Sequence, residues 1–425
     1  MRNMKSSGAV ILIGLFVAML VSCTKDSSVL YLGSLDRLNW SKKNYEVLDH
    51  MINEYGKGGD SYAKNKAPYA VLDWDQTCAH FDMEEAVLRY QLTNLRFAMT
   101  KDQFKYDLLK DTINGVTKLS ESFQNMLLSD INKDLINEYD FIYDNYLAAG
   151  AAMSLNQVQQ TPQYKDFIVK VGYLYNGYCD TPGIGADYGY PWVLYLFAGF
   201  TIEEVKSLAK QAISYELGNQ LSKQSWQSPA GFVTNAGEVS FSYKTGLRIL
   251  PEMQSLISVC ENRGIQVYIV SASYKPVVEV FSGFECFGYN VPDDNVIAME
   301  LATDANGKIL PEYKAGWFKT QRQGKVDAIN RVIKEEQGKN WDPLFSAGDS
   351  DGDYEMSTAF PEMKLTLIWN RVKGGDIGKL CKQAVDEVSS PFPRYILQGR
   401  NENTGIAMPC SESILLGSTV PQLLY

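Results

Sequence analysis

The sequence predicts an α/β protein built on a doubly wound parallel sheet, with a large, mainly helical cap insertion after the first strand. Three observations carry this. Tyr69-Ala70-Val71-Leu72 is a short apolar run that stops abruptly at Asp73, as a strand buried on both faces does. From Pro251 onward, apolar strands alternate with amphipathic helices, the order of a parallel sheet flanked by helices. Between these regions, from Glu84 to about Leu221, the apolar spacing is mainly helical and rich in aromatic residues. The core is assigned to residues 35–83 and 246–425, and the insertion to residues 84–245.

At the start of the chain, Arg2 and Lys5 precede an apolar run from Ala9 to Val21 that ends in Leu20-Val21-Ser22-Cys23. This is the layout of an export signal over residues 1–22. The run is short for a membrane span. Its ending resembles the lipobox of bacterial lipoproteins, which implies a lipidated Cys23, a membrane anchor and a tether over residues 23–34. Such a lipoprotein is exported, facing the periplasm or lying at the outer membrane or cell surface. A signal peptide with a coincidental cysteine and an uncleaved anchor are the alternatives.

Trp40 to Tyr55 reads as a helix with Val47, Leu48, Met51 and Ile52 on one face. Inside the insertion, Thr201-x-x-Glu204 is a capping box opening a helix that ends near Gly218. Met253, Leu256, Ile257 and Cys260 mark a helix from Pro251 to Arg263, and Gly264 breaks it before a strand at Val267–Val270. Asn306-Gly307, between Val296–Leu301 and Ile309-Leu310, signals a hairpin. Val326, Ile329, Val332 and Ile333 mark another helix, and Leu344–Ala347 and Leu365–Ile368 close the series as strands.

Composition narrows the function. A chain of 425 residues, 45% hydrophobic, can bury a sizeable core. A net charge of −10 argues against nucleic acid as a partner and favours a substrate carrying a cationic group. Export would bring the cysteines into an oxidising compartment, so disulfides and scattered buried thiols both stay open. With only His50 and His80 present, and no CxxC, zinc sites and histidine triads are nearly excluded. Nothing in the sequence indicates an oligomeric state.

In doubly wound sheets ligands bind at the carboxyl ends of the strands. Three polar clusters fall there: Asp73-Trp74-Asp75-Gln76-Thr77, Ser271-Ala272-Ser273, and the acidic run from Gly348 to Asp353. Lys325 opens a helix between the last two. Each alone is weak. The acidic run is a poor calcium loop: counted from Asp349 it has Phe360 where the bidentate glutamate belongs, and counted from Asp351 it has Met356 where the turn needs glycine. What is specific is the order of aspartate pair, serine, lysine and acidic loop, each at a strand or helix end.

This set resembles the four motifs of haloacid dehalogenase-type phosphatases, over roughly Ala67 to Arg371. The resemblance implies a Mg²⁺-dependent phosphomonoesterase acting on a small phosphate ester. Phosphoryl transfer needs an in-line nucleophile and compensation of charge on the equatorial oxygens. Asp73 is then the nucleophile. Asp349 completes the metal shell with Asp73, the Asp75 backbone carbonyl and water, and Asp353 orients Lys325 or a metal-bound water. Asp75 is the general acid and base, Ser271 donates to a phosphoryl oxygen beside Ala272 and Ser273, and Lys325 supplies positive charge.

Further on, Phe81-Asp82-Met83-Glu84-Glu85, Trp192–Gly199 and Gly246-Leu247-Arg248 resemble bacterial phosphorylcholine phosphatases, with Gln76 where that family usually carries asparagine. This implies phosphocholine or a similar amine phosphate as substrate. Glu85 is the anionic candidate by resemblance, and Tyr173, Tyr175, Tyr178, Tyr188, Tyr190 and Trp192 are candidates for an aromatic box. A phosphatase for phosphoserine or phosphoethanolamine, a phosphotransferase, and a non-catalytic binding lipoprotein of the same fold are the alternatives.

Overall fold

The structure, a computed structural model, describes residues 33–424. The expected signal peptide, Cys23 and most of the tether lie outside them. Six parallel strands form the central sheet: β1 (Tyr69–Leu72), β2 (Gln266–Tyr274), β3 (Val296–Met299), β4 (Phe345–Gly348), β5 (Leu365–Trp369) and β6 (Tyr395–Gln398). Their spatial order is β6-β5-β4-β1-β2-β3. The chain winds outward from β1 through β2 to β3, then returns to the other side of β1 for the remaining three. Between β1 and β4 the winding reverses, and the carboxyl ends there diverge to leave a crevice.

Alternation along β1 explains why the sheet is covered twice. Ala70 and Leu72 pack in one apolar cluster with Leu48 and Ile52 of the helix Lys42–Tyr55 and Leu256 of the helix Pro251–Asn262. Tyr69 and Val71 point the other way, into a cluster with Val326, Ile329, Ile333 and Met356. All four residues of β1 are fully buried, so the strand reads as a continuous apolar run.

Several boundaries differ from the sequence reading. Strand β2 continues through Ser271-Ala272-Ser273 to Tyr274, so the serines belong to the strand end itself. The helix at Val326 opens at Gln323 and widens into a π-helix over Ile329–Glu336. The sheet gains a sixth strand, β6, behind the helix Gly375–Asp386. A small sheet of two-residue strands follows, Arg400–Asn401, Ile406–Ala407, Ser413–Ile414 and Pro421–Gln422. Segments this short carry no readable period.

The region after β1 is helical as expected, with the capping box at Thr201 and Glu204 formed. It closes, however, on an antiparallel hairpin, Ser222–Gln227 with Ser240–Thr245. The first strand is polar and mostly exposed, without apolar alternation; in the second, Phe241 and Tyr243 alternate with polar residues and form an aromatic face with Trp226. The six cysteines in the described residues are free thiols. Among these residues no helix is long and apolar enough to cross a membrane.

Candidate active site

The Asp73 amide donates to the Ala347 carbonyl at 3.0 Å, the last ladder bond before the chain leaves the sheet. The next residues turn tightly, with the Cys78 amide on the Trp74 carbonyl at 2.8 Å and Gln76 in the left-handed region at φ +65°. Trp74 drives its indole into the core against Phe281 and Tyr289, which fixes the loop from below. The two aspartates flanking Trp74 are thereby left at the crevice.

Asp73 presents both oxygens to fixed partners. Lys325 donates to Oδ1 at 2.6 Å, and the Thr77 hydroxyl lies 3.0 Å from Oδ2 and 3.2 Å from Oδ1 of Asp349. Lys325 also donates to Asp353 Oδ1 at 2.7 Å. The other Asp353 oxygen accepts from the Asp349 and Ser350 amides at 3.0 and 3.2 Å, so it shapes the acidic loop from inside. Arg371 donates to Asp349 Oδ2. Oxygens of Asp73, Asp349 and Asp353 lie within 4.8 Å of one another, all three residues buried.

The electrostatics of this cluster are unbalanced in a particular direction. Burial raises the Asp73 carboxyl well above its usual range, Asp353 and Asp349 add to that, and Lys325 only partly opposes it. Burial also works against ionised Asp349, but Arg371, with Lys373 and Arg400, outweighs it and holds that carboxyl low. Crowded, buried carboxylate oxygens of this kind are hard donors that suit an oxygen-preferring divalent cation.

Asp75 lies apart from these three. Its Oδ2 accepts from the Ser273 hydroxyl at 2.6 Å and its Oδ1 from the Met83 amide at 2.7 Å. Burial, then Asp82, raises its carboxyl well above the usual range despite both bonds, favouring the protonated form. Ser271 is buried, and its oxygen accepts from the Ser273 amide at 3.1 Å. Ser271, Ala272 and Ser273 all line a cavity of about 310 Å³ that also takes in Asp73, Asp75, Lys325, Asp349 and Asp353.

The lining of this cavity also has acidic and aromatic members. Asp82, Glu84, Tyr175 and Tyr190 line it. Burial pushes Glu84 up to about 8 even though its carboxylate accepts from the Tyr274 amide. Glu85 is not among the lining residues; burial and Asp82 push it up to about 7, and it adds to the rise of the Tyr175 and Tyr190 phenols. Of the aromatic candidates, Tyr178 and Trp192 pack on each other in the insertion's own core.

Sequence reasoning did not single out Arg371, Lys373 or Gln321, all of which line the cavity. Arg371 lies two residues past β5 and so obeys the same strand-end rule that located the aspartates. Applying that rule to every strand would have found it.

A profile of the haloacid dehalogenase-like hydrolase family matches residues 234–358. The chain is 23% identical over 283 residues to a phosphorylcholine phosphatase of Pseudomonas aeruginosa, covering 66% of this chain. It spans about three fifths of that relative's length, 61%. Among solved structures, a conserved protein of unknown function from Anaerococcus prevotii superposes with a TM-score of 0.81 at 31% identity, over 89% of this chain and 98% of the other.

Proposed function

We propose that the chain, whose residues 234–358 match the haloacid dehalogenase-like hydrolase profile, is a phosphomonoesterase in which Asp73 attacks the phosphorus of a small ester and is transiently phosphorylated. The observation that carries this is the placement of Asp73: buried at the strand end, clasped by Lys325 and Thr77, and clustered with Asp349 and Asp353 at the floor of a cavity.

Asp73, Asp349 and Asp353 would hold Mg²⁺ together with the Asp75 backbone carbonyl, and the bound cation would offset the repulsion between the nucleophile and a dianionic phosphate. Lys325 holds Asp73 in one orientation and brings positive charge to the phosphoryl oxygens. Ser271 is set to donate to the same group. Asp75, kept protonated by burial, gives its proton to the departing alkoxide. Once ionised, it takes a proton from the water that cleaves the aspartyl phosphate. Ser273 and the Met83 amide hold its carboxyl in place through both steps.

The substrate reading is phosphocholine or a similar amine phosphate. Acidic Asp82 and Glu84 beside Tyr175 and Tyr190 suit a cationic head, and a cavity of about 310 Å³ admits only a small ester. Arg371 and the exposed Lys373, in the same cavity, support a second reading with a carboxylate on the substrate, such as phosphoserine. The chain would work as an exported lipoprotein anchored through Cys23.

The test compares phosphocholine, phosphoethanolamine and phosphoserine with Mg²⁺, without metal, and after chelation. Metal-dependent turnover with phosphocholine preferred is expected. Preference for phosphoserine would install the second reading, and turnover that survives chelation would remove the cation from the proposal.

A further inference from the structure

We infer that Arg400 is a positioning residue for the nucleophile loop, acting through Gln76 on the peptide that joins Asp75 to Gln76. This rests on the phosphatase reading above, in which that peptide's carbonyl completes the cation shell. Gln76 is left-handed, with φ +65°, a conformation that residues bearing a Cβ adopt only when their surroundings enforce it. Its own amide makes a long bond to the Phe81 carbonyl, 3.3 Å. The strong constraint comes from the other side. One guanidinium takes both Gln76 acceptors, with Nη1 on the backbone carbonyl at 2.8 Å and Nη2 on the side-chain Oε1 at 2.6 Å. A planar fork on two acceptors of one residue fixes orientation as well as position.

Arg400 comes from far away in the chain. It opens the first strand of the small carboxyl-terminal sheet, beyond residue 358 where the family match ends, and it is fully buried. Burial, with Arg371 nearby, lowers its guanidinium to about 10 against the pull of Glu402. Among the described residues, the guanidinium's one other hydrogen bond is to Glu402 Oε1 at 3.3 Å. Lys244, from the insertion hairpin, donates to Glu402 at 3.1 Å and sits 4.8 Å over the Phe81 ring. The insertion hairpin, the carboxyl-terminal sheet and the loop holding Asp73 and Asp75 are thus joined through one buried arginine. The longer side chain of glutamine, where asparagine is usual in the resembled family, is what meets the second arm of the fork.

The experiment uses the full chain with Arg400→Met, Arg400→Lys, Gln76→Met and the Arg400→Met/Gln76→Met pair. Each is titrated calorimetrically with Mg²⁺ alone, assayed for kcat and KM on phosphocholine, and melted by circular dichroism. Arg400→Met is expected to weaken Mg²⁺ binding and lower kcat, each by about 10–100-fold, with KM unchanged. Arg400→Lys should regain part of both, and Gln76→Met should lose less. The double variant should be no worse than Arg400→Met, because both changes break one unit.

Wild-type Mg²⁺ affinity in folded Arg400→Met, or losses that simply add in the double variant, would overturn the inference. If Arg400→Met does not fold, unchanged Mg²⁺ affinity in Gln76→Met overturns it. A wild type that binds Mg²⁺ but hydrolyses no phosphate ester would sink the functional reading instead, while the titrations still decide the role of Arg400.

Discussion

Among the described residues, two buried lysines sit among carboxylates, and only one of them faces a cavity. Lys325 bonds Asp73 and Asp353 at the floor of the crevice. Lys170, in the insertion helix Pro162–Asp180, bonds Asp166 and Asp134, with Glu138 at 3.6 Å. The second cluster is sealed. Asp134 accepts from the Asn235 and Ala236 amides, each at 2.8 Å, and Lys170 donates to the Thr234 hydroxyl, so the hairpin loop closes over it. The extra negative charge is disposed of by neutralisation, since burial, with Asp166 beside it, pushes Glu138 up to about 10.

In the crevice the oxygens of Asp73, Asp349 and Asp353 line a cavity that a ligand can reach. A buried lysine among aspartates is therefore a pin in one place and a site in the other. Access makes the difference, since both clusters are a lysine among acidic side chains.

The comparison can be broken most sharply at Asp73, the proposed nucleophile. Asp73→Asn should cut phosphate-ester turnover by at least ~10³-fold while the circular dichroism melt stays close to wild type; turnover within tenfold of wild type would make the crevice cluster another pin. Lys170→Met should do the reverse. It leaves carboxylates buried without their counter-ion and should cost about 3–5 kcal/mol of stability in urea unfolding, with kcat per folded molecule unchanged. A fall in kcat with unaltered stability would merge the two clusters into one function.

Smaller effects sharpen the contrast. The Ser273 bond lowers the Asp75 carboxyl, so Ser273→Ala should raise it further and move the basic limb of the kcat/KM profile upward in pH. A limb that stays in place would show that Asp75 is not the proton donor. Glu138 is read through stability instead. Its folded carboxyl is raised to about 10 from the 4.5 of an ordinary glutamate, so the unfolded chain releases this proton first and stability falls as pH climbs between those values. Glu138→Gln should stabilise the protein at pH 8 more than at pH 5, read from melts at both pH values, whereas equal shifts would mean the carboxyl is already ionised in the fold.

The two clusters also differ in how readable they were. Asp73, Ser271 and Asp349 stand where apolar strands end, and an abrupt change from apolar to polar is visible in a sequence. Lys325 is marked by its place at a helix start between them. Asp166 and Lys170 have the i, i+4 spacing of any solvated helical pair, so nothing local marks them as buried. Their burial depends on Asp134 and on the loop at Asn235, which only the tertiary packing brings together. The same holds for Arg400, whose partner lies 324 residues earlier. The sheet was legible down to single residues at β1, and it blurred toward the carboxyl-terminal end, where strands of two residues leave no period to read.

The bond from the Met83 amide to Asp75 has a consequence for how this architecture can diversify. Met83 is the first residue of the helix Met83–Thr93 that leads into the insertion, and Asp75 belongs to the core loop, so in the proposed mechanism the first turn of that helix also holds the proton donor. A transplanted insertion that discarded this turn would leave Asp75 held by Ser273 alone. One that kept it could replace the walls at Tyr175 and Tyr190 at will. On the proposed reading, substrate preference can drift at those walls while the turn beside Asp75 stays fixed.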